Sequence, residues 1–315
     1  QGMWEAIANN RRRSLLLITF MGMLLVLLGA AIGGAVDPQN GIPFGLLAAL
    51  VIWFILWLTA TAGGEAILLA SAHARKIDKP DAPMLWNIVQ EMTIASGLPK
   101  MPDVYLIDDP SPNAFAVGRA PQVAAVAVTT GLLKRLSRDE LQGVIGHEIG
   151  HVRNLDIRFM TLAAVMMGAI ALLGEGFLRG MYYSGRGRSR ASGRGAGGQF
   201  QAILMLAAVV LAILAPIAAQ MLYFACSRRR EYLADASSAR YTRFPEGLAS
   251  ALEKIARSGP GEGGSELQKN RVLAPLYIIN PRQALAAAGP FATHPPAEDR
   301  IRILRAMGNG AGFGE

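Results

Sequence analysis

Two histidines, His147 and His151, stand four positions apart in Gly146-His147-Glu148-Ile149-Gly150-His151, with a glutamate directly after the first. On a helix, positions i and i+4 share a face, with Cβ atoms about 6 Å apart. Two imidazoles so placed can bind one small cation together. Glu148, one step round the helix, can reach a water on that cation. Two imidazoles, a carboxylate and a polarised water are the parts of metal-assisted hydrolysis, and His-Glu-x-x-His is the spacing that zinc-dependent peptide hydrolases carry on a helix.

A catalytic zinc keeps three protein ligands and one open position. The chain has four histidines, His73, His147, His151 and His294, and a single cysteine, Cys226. A multi-cysteine site and an internal disulfide are therefore excluded. The third ligand is a carboxylate or one of the two other histidines. Glu231-Tyr232-Leu233-Ala234-Asp235 is the best candidate, because it restarts polar sequence straight after the last apolar run, on the same membrane side as the motif. Glu231 can ligate the metal while Asp235, one helical turn on, accepts the outer N–H of a ligand histidine, His147. Glu148 is the expected general base, taking the proton of the water and delivering it to the leaving amine. The oxyanion needs an electrophile besides the metal. His294, in Thr293-His294-Pro295-Pro296, is the candidate, with Arg300 behind it. The plainer alternatives are that Glu231 pairs with the preceding arginines, that Asp235 is a solvated charge and that His294 merely starts a helix. The motif upstream favours the site reading. His73 reads as an interfacial residue and Cys226 as inert packing.

The elements that must position these residues follow from composition. Of 315 residues, 52% are hydrophobic and 17% charged, below the roughly 25% charged of soluble domains. Arg11-Arg12-Arg13 precede an apolar stretch over 14–36, and a second runs over 42–62 and on through 67–70. Each meets the roughly 20 residues that one bilayer crossing needs. Basic residues lie before the first and after the second (Arg75, Lys76, Lys79), with none in the loop over 37–41. The positive-inside rule then places both ends in the cytoplasm. Two further apolar runs cover 159–178 and 202–226, joined by a Gly/Ser/Arg-rich loop over 179–201. The arginines of that loop are disfavoured outside, so a crossing pair competes with a hairpin packed on the domain or partly inserted, its arginines on lipid head groups. The crossing pair is the preferred reading. Net charge is +8. Its arginine runs flank apolar segments, so it reads as topogenic charge, and no nucleic-acid partner is expected.

Between the apolar pairs the sequence is soluble in character. Residues 83–96 have helical apolar spacing. Strands are expected at 104–107, 113–117 and 123–129, with Gly118-Arg119-Ala120-Pro121 as a turn. Ser137-Arg138-Asp139-Glu140 is a capping box that opens the motif helix. Gly143, Gly146 and Gly150 each cost about 1 kcal/mol in a helix, tolerable where another backbone comes close. Further expectations are a helix over 245–257, a Gly-rich loop over 259–264, a strand over 276–279 and a last helix over 296–307. The domain reading is a membrane hairpin over 1–72, a first part of the catalytic domain over 73–158, a second apolar hairpin over 159–226, and a second part over 227–315.

Taken together, the two N-terminal spans, Asn113-Ala114-Phe115-Ala116, His147 to His151, the two later apolar runs, Glu231 to Asp235, and Thr293-His294-Pro295-Pro296 through Arg300-Ile301 resemble the HtpX family of membrane zinc metalloproteases, distant relatives of the CAAX prenyl endopeptidases. The resemblance implies a mostly α membrane protein with an α+β gluzincin-type domain, about four apolar helices and a small sheet with an edge strand near the site. It also implies one Zn²⁺ per chain, and His294 and Arg300 facing the site. Asn113, Ala114, Phe115 and Ala116 would pair with the substrate backbone by strand addition. The expected activity is endoproteolysis of misfolded or damaged membrane proteins, in quality control and stress response, with the catalytic domain on the cytoplasmic face of a bacterial inner membrane. Partners are polypeptide substrates and the lipid bilayer; no oligomeric state is implied. The Arg/Gly-rich stretch over 186–198 has no counterpart in the family pattern. The competing readings are a CAAX-type processing protease, which needs a chamber built from more spans, and a non-catalytic zinc-binding scaffold, for which Glu148 has no use.

Overall fold

The computed structural model describes residues 3–184, 196–258, 278 and 296–308. His294, the loop over 259–264, the loop residues 185–195 and the expected strand over 276–279 apart from Ile278 lie outside the described residues. The chain forms two compact units. One is Gln1–Ala60 with Val165–Tyr223, the other Thr61–Ala164 with Phe224–Glu315.

In the first unit, α1 (Met3–Val36) and α2 (Gly41–Ser71) meet through glycines. A Cβ at Gly29 would stand 2.5 Å from the Ala49 Cβ and 2.7 Å from the Gly45 carbonyl oxygen, so the two backbones touch directly. Small-x-x-x-small spacing at Gly29/Gly33 and Gly41/Gly45 permits this, the usual means of helix association where lipid removes any hydrophobic drive. Two more helices, α6 (Asp156–Ser184) and α7 (Ala196–Thr242), pack likewise, Gly174 against the Ala212 carbonyl. Ala208, Ala212, Ala215 and Ala219 form a buried stripe, while Leu206, Ile213, Leu214 and Ile217 point outward. Small residues inside and large apolar ones outside suit a lipid surround. Among the described residues, four segments are long and apolar enough to cross a membrane: Ile18–Val36, Gly41–Leu58, Asp156–Tyr183 and Gln199–Met221.

Helix α7 runs past its apolar part. Arg228-Arg229-Arg230 end the apolar run but not the helix, which continues to Thr242. No glycine or proline follows Pro216 before Pro245, so nothing in the backbone stops it. The last apolar run and Glu231 therefore share one helix.

The second unit holds a four-stranded sheet in the order β1-β2-β4-β3. Its strands are β1 (Arg75–Lys76), β2 (Asp103–Ile107), β3 (Ala114–Ala120) and β4 (Val123–Thr129). The β2/β4 pair is parallel, and β1/β2 and β3/β4 are antiparallel. The turn expected over 118–121 is corrected by the structure, since β3 runs on to Ala120. Gly118, at φ 148°, with a register shift between it and Ala120, absorbs the irregularity as a bulge. Around the sheet pack α3 (Pro83–Ser96), α4 (Thr130–Arg135), α5 (Arg138–Arg153), α8 (Pro245–Arg257) and α9 (Ala297–Gly308). The two-residue β1 and the short α4 carried no readable sequence pattern.

Helix α5 lies at the centre. The Ser137 hydroxyl accepts the Glu140 N–H and the Glu140 carboxylate accepts the Ser137 N–H, a complete capping box. Every residue from Gly143 to Val152 is buried. Leu141, Val144, Ile145 and Val152 join Leu85 and Ile88 of α3, Val126 and Val128 of β4, Leu248 and Leu252 of α8, and Leu304 of α9 in one core. Its glycines face other helices. A Cβ at Gly143 would stand 2.5 Å from the Leu248 nitrogen of α8, and one at Gly150 would stand 3.0 Å from the Ser237 Cβ and 3.3 Å from the Ala234 Cα of α7. The close approach of α7 that these glycines allow is what delivers the next residues to the motif.

Candidate metal centre

Packing α7 on the glycine face of α5 sets Glu231 over both motif histidines. The Glu231 carboxylate oxygens lie 3.6 Å from His147 Nε2 and 3.6 Å from His151 Nε2. The two Nε2 atoms are 3.2 Å apart, with the rings at 87°. One donor atom from each of His147, His151 and Glu231 falls within 4.8 Å of the others, and all three residues are buried.

Each imidazole is held from behind by a carboxylate. His147 Nδ1 is 2.9 Å from Asp235 Oδ1, and His151 Nδ1 is 3.3 Å from Asp156 Oδ2. Asp235 stands one turn after Glu231 on α7. Asp156 opens α6, reached through Leu155 at φ 63°, and is a partner that the sequence reading missed. Its only signal was an acidic residue five positions past His151. Arg300, fully buried on α9, locks the other side. Its Nε and Nη2 donate to Asp235 at 2.8 and 2.6 Å, its Nη1 donates to the Ile278 carbonyl at 3.1 Å, and Nη1 lies 3.5 Å from Glu231.

The electrostatics follow from this arrangement. Burial alone would lower the His147 pKa, but the Asp235 and Glu231 carboxylates outweigh it and hold it up at about 9 in the metal-free site. Burial likewise opposes the charge on Asp235, and Arg300 and His147 overcome it, so its pKa is lowered. Glu148 goes the other way. Burial raises its pKa, against the pull of both histidines and of the nearby Ala116 N–H.

The donor set fits a metal. With Asp235 and Asp156 accepting the Nδ1 hydrogens, both Nε2 atoms present lone pairs to each other, beside the Glu231 carboxylate. Lone pairs at 3.2 Å repel unless a proton or a cation lies among them. Two imidazoles and one carboxylate are a donor set suited to a divalent transition ion.

The remaining site residues fall as follows. Asn113 leads into the edge strand β3, where its backbone pairs with Thr129 and its side-chain oxygen accepts the N–H groups of Ala114 and Ile278. By strand alternation, Phe115 then faces β4, and Ala114 and Ala116 turn to the outer edge. The N–H of Ala116 meets Glu148 there, so the edge strand and the motif helix are in direct contact. His73 is exposed in the turn after α2 and is not part of the cluster.

Comparison with known proteins bears on this geometry. Peptidase family M48 matches residues 81–308, a range that takes in the whole cluster. The "Protease HtpX homolog" of Dictyoglomus thermophilum is 44% identical over 305 residues, spanning 97% of this chain and 95% of that protein. The one from Lactobacillus helveticus is 40% identical over 307 residues, spanning 97% and 100%. Among solved structures, Ste24p of S. mikatae overlaps with a TM-score of 0.47 at 19% identity, over 96% of this chain and 66% of that one. The family match over the buried cluster and the identity to the two HtpX homologues over nearly the whole chain lead to one conclusion: the chain belongs to peptidase family M48, as a multi-pass membrane metalloprotease of the HtpX type.

Proposed function

We propose that the chain is a zinc endopeptidase in which Glu148 is the general base, acting on misfolded or damaged membrane proteins. The observation that carries this reading is the convergence of His147 Nε2, His151 Nε2 and Glu231 in a buried site, each imidazole backed by its own carboxylate. A divalent cation held there would polarise the scissile carbonyl and acidify a water beside it. Glu148 takes the proton of that water and passes it to the leaving amine. Its raised pKa suits a group that must both accept and release a proton near neutrality. Asp235 and Asp156 fix the tautomers and ring orientations, and Arg300 holds Asp235 in place. Zinc is favoured over harder ions because two of three ligands are imidazoles.

The edge strand supplies the substrate side. An added substrate strand would meet the backbone of Ala114 and Ala116, with Asn113 at its head, and strand addition reads backbone more than side chains. That suits broad specificity towards unfolded segments. Four apolar helices keep the enzyme where such segments of membrane proteins occur. The basic residues flanking the first two spans favour a catalytic domain on the cytoplasmic side of a bacterial inner membrane.

The test is metal content and casein cleavage on detergent-purified full chain, wild type beside Glu148→Gln. The proposal expects about one zinc per chain in both proteins, with cleavage lost by a factor of at least about 100 in the variant. Equal cleavage by the two proteins would remove Glu148 from the mechanism, and zinc-bound wild type that cleaves nothing would remove the endopeptidase reading.

A further inference from the structure

Two buried arginines flank the metal cluster, and they are used differently. Arg300, on the His147 side, is bound to Asp235 and to the Ile278 carbonyl. Arg230 directly precedes Glu231 on α7 and is only 3% exposed. None of its Nε, Nη1 and Nη2 has a hydrogen-bond partner among the described residues. Its guanidinium carbon lies 3.8 Å above the centre of the Phe159 ring. Phe159 follows Asp156 by less than one turn of α6, and Asp156 holds His151. Arg230 therefore sits on the His151 side of the cluster, next in sequence to a residue of the cluster itself.

A guanidinium over an aromatic ring is held by the ring's π face and keeps its planar fork of N–H donors for a carboxylate, which it receives in bidentate fashion. Burying a cation without acceptors is strongly unfavourable unless an anion completes it. Arg230 is closed from solvent, as are His147, His151 and Glu231. Arg230 adjoins Glu231 in the chain, so a carboxylate of a substrate held beside the cluster is the anion nearest at hand to complete it. The anions a polypeptide carries are Asp and Glu side chains and its terminal carboxylate.

We infer that Arg230 is the receptor for a carboxylate of the polypeptide substrate, close to the bond that is cleaved. The inference rests on the proteolytic reading above and adds a specificity to it. Backbone pairing along β3 would accept most sequences, and Arg230 would fix the register at which an acidic side chain or a free chain end selects the bond to be cut.

The test uses full chain in detergent and a set of quenched fluorescent peptides. One Glu is walked along the peptide against Gln at the same position, and each peptide carries a free or an amidated C-terminus. In wild type, Glu at one position, or the free terminus, raises kcat/KM by about ten-fold or more, and the two arms show which carboxylate is read. In Arg230→Gln that ratio falls to about one. A wild type indifferent to every acidic position and to the terminus overturns the inference, as does a preference that survives in the variant. Melting temperature gives a second reading that does not need cleavage. Arg230→Met melts no lower than wild type, and millimolar N-acetylglutamate amide raises the wild-type melting temperature alone. A clear fall in Arg230→Met would make Arg230 a structural counter-charge. Stabilisation through Arg230 by phosphatidylglycerol bicelles, with none from N-acetylglutamate amide, would assign the guanidinium to a lipid phosphate. Either result overturns the inference. If neither enzyme cuts any peptide, the proteolytic reading fails and the melting arm still decides the role of Arg230.

Discussion

Asp235→Asn separates what the carboxylate does for the fold from what it does for the metal. The carboxylate receives three donors: Arg300 Nε at 2.8 Å, Arg300 Nη2 at 2.6 Å and His147 Nδ1 at 2.9 Å. Asparagine keeps the shape but offers one oxygen, and turns an NH₂ towards at least one of these donors. Arg300, buried, also loses the nearer of its two carboxylate partners and keeps only Glu231 at 3.5 Å. Removing one partner of a buried pair costs about 3 kcal/mol, roughly 6–12 °C of melting temperature for a protein of this size. Loss of the outer acceptor of a ligand histidine should weaken metal binding by about 10- to 100-fold. The double variant Asp235→Leu/Arg300→Met removes both charges of the pair and should recover part of the melting temperature. It should not recover the affinity, because His147 still lacks its acceptor. The assay is thermal melting in detergent beside zinc competition with a chelator of known affinity. Wild-type affinity in Asp235→Asn would refute the idea that Asp235 tunes the metal through His147. Restored affinity in the double variant would assign the effect to the uncompensated Arg300 instead.

Two other predictions follow from the same geometry. Gly143→Ala gains about 1 kcal/mol of helix propensity, but its new Cβ would stand 2.5 Å from the Leu248 backbone nitrogen. Overpacking of about 1–3 kcal/mol should win, so the variant melts below wild type, whereas Gly176→Ala on α6, with nothing within 4 Å, does not; equal effects would show that α8 yields freely. In chelator-stripped protein, His147 has a pKa of about 9 against 6.5 for a free histidine. A raised folded pKa stabilises fully below the unfolded value and is lost as pH rises through the folded one. The melting temperature of the stripped protein should therefore fall between pH 6.5 and 9, and zinc uptake at pH 7 should release a proton. A flat melting profile would show that His147 is neutral without metal.

Much of the site was legible because its signals are local. His147 and His151 share a face by helical periodicity alone, and Ser137 with Glu140 fixes where that helix starts. The apolar runs are long enough that bilayer thickness decides their form. Other features were local but unread. The arginines of 228–230 change hydropathy without a helix breaker, so one helix carries both the last apolar run and Glu231. Glycine is common in turns, but at Gly118 a φ of 148° serves a bulge that lets β3 go on.

The sequence by itself determined the motif helix, its cap, the apolar segments and the candidate third carboxylate, since each depends on residue type and on spacing within a few turns. Only the tertiary structure decided which partners stand behind those residues. Asp156 at His151, Arg300 across Asp235, Ala116 against Glu148 and Arg230 stacked on Phe159 join residues as much as 71 positions apart. Their meeting depends on how closely α5, α6, α7 and α9 approach. That approach is set by glycine-lined faces and by the core beneath them, which no periodicity in the chain encodes.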